Sequence, residues 1–238
     1  MQRYSPDKQS GLYFSKSERE NAGRKKMKAY ERLLKYITVW TTSDENSTTV
    51  PTTKRQLDLG NLLVEELKEM KLSDVSMDEY GYVYGYLPAT EGMEDVTPLG
   101  LIAHLDTAPD FNGQNVKPQI IQDYNGEDVV LGTSGRVLAV KDFPRLKGYK
   151  GRTLITTDGT SLLGADDKAG IAEILTAVEE LINGDTPHGK IAVSFTTDEE
   201  VGSGAKHLNL ERFGAPYAYT VDGGPEGEIQ FENFNACK

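Results

Sequence analysis

The chain has a single cysteine, Cys237, in 238 residues. A lone cysteine makes no internal disulfide, so the fold needs no oxidising compartment, which fits the cytoplasm. No apolar run approaches the roughly 20 residues of a membrane-spanning helix. The N-terminus also lacks the apolar stretch of a secretory signal. Basic charge is in short supply: 26 Lys and Arg stand against 37 Asp and Glu, a net charge of −11 at pH 7. That balance argues against nucleic acid and against anionic membrane surfaces as partners, because both are bound through clustered Lys and Arg. There is no internal repeat and no low-complexity tract. Gly202 and Gly204 in "EEVGSGAKH" are not followed by Lys-Ser or Lys-Thr, which excludes a standard phosphate loop.

What is present is enough for one large domain or two small ones, with 37% hydrophobic residues. Residues 1–26 are polar, with seven basic residues against three acidic, and read as a flexible extension. Met27 is an alternative start. A helix is expected from Met27 with Leu33, Leu34 and Ile37 on one face. A second is expected from about Arg55 to Met70, burying Leu59, Leu62, Leu63 and Leu67. "YGYVYGYLPA", "LGLIAHLD", "KIAVSFTTDEE" and "YAYTVDGG" read as strands, and residues 110–161, rich in Gly, Asn and Asp, as hairpins. In "LLGADDKAGIAEILTAVEEL", Ile171, Ile174, Leu175, Val178, Leu181 and Ile182 recur at helical spacing. Strands interleaved with helices give an α/β fold, a mixed sheet sandwiched by helices.

Chemistry-bearing residues cluster where apolar elements end. His104 and Asp106 end one strand, Glu199 and Glu200 another, Asp222 a third, and Asp166 opens the apolar helix. Each has a bland explanation: "DD" caps a helix, while "DEE" and "VDGG" are ordinary turns. His188 and His207 are read as structural, His188 in a turn and His207 on a helix. Trp40 and the tyrosines at 80–86 are read as packing residues. Yet ligands gather beyond the carboxyl ends of strands in open α/β sheets. Three such ends and one helix start, carrying carboxylates and an imidazole, point to a metal centre. Carboxylate and imidazole suit zinc, and also cobalt or manganese. Asp106 is a candidate to take the second N–H of a metal-bound His104. Asp166, with two oxygens, is a candidate bridge between two ions, and one of Glu199 and Glu200 a ligand with the other a base.

The segments "IAHLDTAPDFNGQNVKPQI", "LITTDGTSLLGADDKAGIAEILTA", "SFTTDEEVGSGAKH" and "YTVDGGPEGEIQFENFNA" resemble the peptidase T family of tripeptide aminopeptidases. That family sits in a wider group of di-zinc exopeptidases and deacylases that includes carboxypeptidase G and acetylornithine deacetylase. The resemblance runs from about Met27 to the C-terminus. It implies two zinc ions and a short peptide substrate, and in a full-length protein it is compatible with a homodimer. It assigns His104 and Asp222 to the first zinc, Asp166 to both, Glu200 to the second, Asp106 to orienting His104 and Glu199 to acid–base catalysis. Asp167 is then left to cap the helix.

The resemblance also implies a longer chain. Residues 27–238 match the N-terminal part of the family's catalytic domain, and a lid domain and a late histidine ligand are expected beyond it. An unpaired sheet edge with exposed apolar surface is therefore expected, with weak metal binding and little peptidase activity in these residues alone. Two alternatives are a non-catalytic metal-binding remnant and a related amidohydrolase acting on N-acyl amino acids. "WTTS" after the first helix differs from the "DTQS"-like segment of the family, but no proposed ligand lies there.

Overall fold

The computed structural model describes residues 26–224 and 227–230. The expected flexible extension, apart from Lys26, lies outside the described residues, as does Cys237. Among the described residues, three α-helices, Ala29–Tyr36 (α1), Gln56–Glu69 (α2) and Ala165–Asn183 (α3), and the short Leu210–Phe213 (α4) accompany nine strands. The main sheet is built from Ser73–Met77 (β1), Val83–Leu87 (β2), Leu99–His104 (β3), Ile191–Thr196 (β8) and Tyr217–Thr220 (β9), in the order β1-β2-β8-β3-β9. β1, β2 and β8 are antiparallel neighbours, whereas β8, β3 and β9 run parallel. The fold is the expected mixed α/β class.

The apolar periodicity of α2 and α3 decides which face of the sheet they cover. Leu59, Leu63 and Leu67 of α2 and Ile171, Ile174, Leu175 and Val178 of α3 pack with Val83, Val193 and Phe195 in one core. Each such side chain contributes roughly 1.5–3 kcal/mol by leaving water. Leu62 is only half-buried. The opposite face holds a smaller cluster of Tyr82, Tyr84, Ala192 and Phe213, the last from α4. Helices therefore lie on both faces, with most of the burial on one.

In α1 the expected face turns inward: Ile37, just beyond the helix, is buried and Leu33 packs against the core, while Leu34 is half-buried. Arg32 and Tyr36 are buried as well, Arg32 drawn inward by Glu66 at 3.0 Å and Glu179 at 3.1 Å. One local expectation is corrected. His207 lies in a turn rather than on a helix, stacked on the Tyr80 ring with centroids 4.1 Å apart.

Residues 110–161 leave the sheet after β3 and return at α3. Within them Pro118–Ile121 (β4) pairs antiparallel with Leu154–Thr157 (β7), and Val129–Val130 (β5) with Val137–Leu138 (β6). Tyr124, Val129 and Leu131 give this hairpin layer its own small core. At the other extreme of the main sheet, β9 is the last strand among the described residues. Tyr217 and Tyr219 on it are half exposed.

Candidate metal centre

Three parallel neighbours end level with one another. His104, the last residue of β3, is paired with Thr196, the last of β8. β9 continues beside β3 through the Val221 amide, which donates to the Ile102 carbonyl. Glu199 and Glu200 follow β8, Asp222 follows β9, and Asp166 comes in at the start of α3, so all reach the same rim of the sheet.

The buried His104 ring is the hub. Its Nε2 lies 3.0 Å from Asp166 Oδ1, 3.7 Å from Glu199 Oε2 and 3.7 Å from Asp222 Oδ2. Ligand atoms of His104, Asp166 and Asp222 all fall within 4.8 Å of one another. On the other side of the ring, Nδ1 is 3.0 Å from the Asp106 carbonyl and 3.5 Å from its carboxylate. A carbonyl only accepts, so Nδ1 carries the proton, and the Nε2 lone pair of a neutral ring faces three carboxylates. That arrangement is repulsive unless a cation lies between them. Without a metal the cation is a proton. Burial alone would lower the His104 pKa, but the Asp106 and Asp166 carboxylates outweigh it and raise it to about 11. The hydrogen bond to His104 holds Asp166 below the usual carboxylate range. Burial pushes Glu199 up, and Glu200 as well. One imidazole nitrogen and several carboxylate oxygens, with the second ring nitrogen tied to a carbonyl, fit a divalent metal such as zinc, cobalt or manganese.

The surrounding hydrogen bonds fix the backbones that carry these groups. The Asp106 carboxylate accepts the amides of Glu199 at 3.0 Å and Glu200 at 3.1 Å. Asp167 accepts the His104 amide at 3.1 Å and the Gly170 amide at 3.2 Å. The Gly170 bond caps the first turn, since Asp166 and Asp167 themselves have non-helical backbones. The Asp166–Asp167 peptide is cis. Burial, reinforced by the charge of Asp222, pushes the Asp167 pKa up to about 8. Gly170 is needed where it stands, because a Cβ there would collide with the Val221 carbonyl oxygen and the Asp167 carboxylate. Lys168, beside the pair, donates to the Val39 carbonyl at 2.7 Å, and burial lowers its pKa to about 8.

Of the six residues singled out by sequence, His104, Asp166 and Asp222 form the cluster, Glu199 flanks it, and Asp106 lies beneath it. Glu200 falls outside the group of potential ligands among the described residues. His188 bonds the Gly189 carbonyl, and neither it nor His207 joins the cluster. Sequence reasoning missed Asp198. Its buried carboxylate is held by Thr52 and Gln56, partners 146 and 142 residues away that no local pattern connects.

No family model matches the chain. The chain is 54% identical to the peptidase T of Halothermothrix orenii over 213 residues, 89% of this chain and 52% of that protein. It is 57% identical to the peptidase T of Clostridium acetobutylicum over 209 residues, 87% of this chain and 51% of that protein. It thus spans about half the length of the curated relatives it matches. Among solved structures, the aminopeptidase PepT from Bacillus cereus shares the fold, with a TM-score of 0.59 and 24% identity, over 84% of this chain and 44% of that one. Over the span it shares with these relatives, the chain is similar to peptidase T.

Proposed function

We propose that the chain carries the metal-binding half of a zinc-dependent aminopeptidase that releases the N-terminal residue from tripeptides. The observation that carries this reading is the Nε2 lone pair of His104, aimed into the carboxylates of Asp166, Asp222 and Glu199 while Nδ1 is tied to Asp106. His104, Asp166 and Asp222 would hold the first ion, and Asp166 with Glu200 the second. A bound zinc supplies Lewis acidity toward the scissile carbonyl. Glu199 would act as general base and then general acid. Burial raises its pKa above the ordinary carboxylate value, the direction that strengthens a general base. Asp106 orients His104 and fixes the two glutamate amides. In the whole protein the substrate would be a short peptide.

The 238 residues alone offer one imidazole to the cluster, so they are expected to bind metal weakly and to turn over little substrate. Steady hydrolysis of a tripeptide by the purified, zinc-loaded chain would refute this. In a version extended to the relatives' length, Glu199→Ala should keep zinc and lose hydrolysis, because a base is removed and no ligand is. Loss of zinc in that variant would reverse the roles of the two glutamates. Release of leucine from a tripeptide, against release of acetate from an N-acetyl amino acid, separates the peptidase from an amidohydrolase.

A further inference from the structure

Asp198 is neither a metal ligand nor a surface turn residue. It is 2% exposed and adopts a left-handed backbone, φ +62°, immediately before Glu199. L-residues other than Gly, Asn and Asp seldom adopt that conformation. Its carboxylate accepts the Thr52 amide at 2.9 Å, the Thr52 hydroxyl, and Gln56 Nε2 at 2.6 Å. Its own amide donates to Gln56 Oε1 at 3.1 Å, so Gln56 grips it at both ends. Its carbonyl accepts the Ser203 amide at 2.9 Å, which closes the turn that carries the two glutamates. These hydrogen-bond partners are all neutral. The buried negative charge is met by the donors of Thr52, ahead of α2, and of Gln56, the first residue of α2. The corner after β8 is thus held twice, by Asp198 against α2 and by Asp106 beneath the Glu199 and Glu200 amides.

We propose that Asp198 is a positioning residue: locked by Thr52 and Gln56, it sets the direction in which Glu199 and Glu200 leave β8 toward His104. This rests on the metal reading above and deepens it. A buried anion is a costly device for a surface turn. Here it lies one residue before Glu199, whose carboxylate reaches 3.7 Å from His104, and two before Glu200. Gln56 extends the link, since Thr53, within 3.3 Å of its Nε2, donates to the Thr42 carbonyl, and Thr42 bridges to Thr107 just beyond Asp106. Both supports of the corner therefore share one scaffold.

The test is cobalt(II) titration of the 238-residue chain followed by visible absorption, together with amide hydrogen exchange at Glu199 and Glu200. In Asp198→Ala, affinity for the second cobalt equivalent should fall about 10-fold or more, as for other residues behind metal ligands. The first equivalent, on His104, Asp166 and Asp222, should hold, and the Glu199 and Glu200 amides should exchange faster. Asp198→Asn should behave alike, because its NH2 faces the Gln56 donor. Asp198→Asn combined with Gln56→Glu reverses the polarity of that bond and should recover the second equivalent. Unchanged cobalt binding and unchanged exchange in Asp198→Ala would overturn the proposal. So would parallel loss of both equivalents with a general loss of exchange protection, which marks a merely structural role. If the unaltered chain takes up no second cobalt, the two-metal reading falls and exchange alone decides: lost protection keeps Asp198 as the anchor of the corner, and retained protection removes it.

Discussion

The Asp106 carboxylate accepts the backbone amide of Glu199 at 3.0 Å, across 93 residues of sequence. Its second oxygen accepts the next amide, that of Glu200. Asp106 therefore joins the end of β3 to the end of β8 through charge-assisted bonds, while its carbonyl holds the His104 ring. Asp106→Asn replaces one acceptor oxygen with a donor that must face another donor. Zinc affinity, measured by calorimetry, should fall about 10–100-fold, with the circular dichroism spectrum unchanged.

Gly170 lets the end of β9 press against the first turn of α3. Gly170→Ala pushes Val221 and Asp167 apart, and with them Asp222 and the His104 amide. Urea unfolding should show a loss of about 1–3 kcal/mol, as for overpacked cores, and zinc affinity should drop with it. Gly148→Ala, where a Cβ meets nothing within 4 Å, is the control and should leave both unchanged.

Arg32 is buried among Glu66, Glu179 and Thr176, tying α1 to α2 and α3. Arg32→Ala leaves Glu179 without this cation and Glu66 with Lys35 alone, and should cost about 3–5 kcal/mol in chemical denaturation. Burial alone would raise the Glu66 pKa, but Lys35 and Arg32 outweigh it and hold it below the ordinary 4.5. The sign follows: this stabilisation is complete above about 4.5 and is lost as pH falls through the lowered value of the folded state. Denaturation midpoints should therefore drop on the acid side, and Glu66→Gln should flatten that limb.

Much of this was legible in the sequence because it is local. The apolar steps from Ile171 to Val178 placed α3, and the runs ending in His104, Thr196 and Thr220 placed three strand ends. β1, Ser73–Met77, was not legible, since "SDVSM" carries too little β-forming character and takes its place by pairing with β2. The burial of Arg32 in α1 was not legible because it answers to Glu66 and Glu179, 34 and 147 residues away. Asp198 was hidden for the same reason. The extra work of Asp167, holding the His104 amide besides capping α3, also depends on a distant partner. Periodicity reports what a segment buries, not which remote group meets a buried charge.

The most direct measurement is zinc titration of the 238-residue chain by calorimetry, beside His104→Ala. The account predicts saturable zinc uptake by the chain, weakened at least about 100-fold when the imidazole is removed, as for loss of a ligand rather than of its support. Uptake of equal strength in both proteins, or none in either, would contradict a metal centre built on His104.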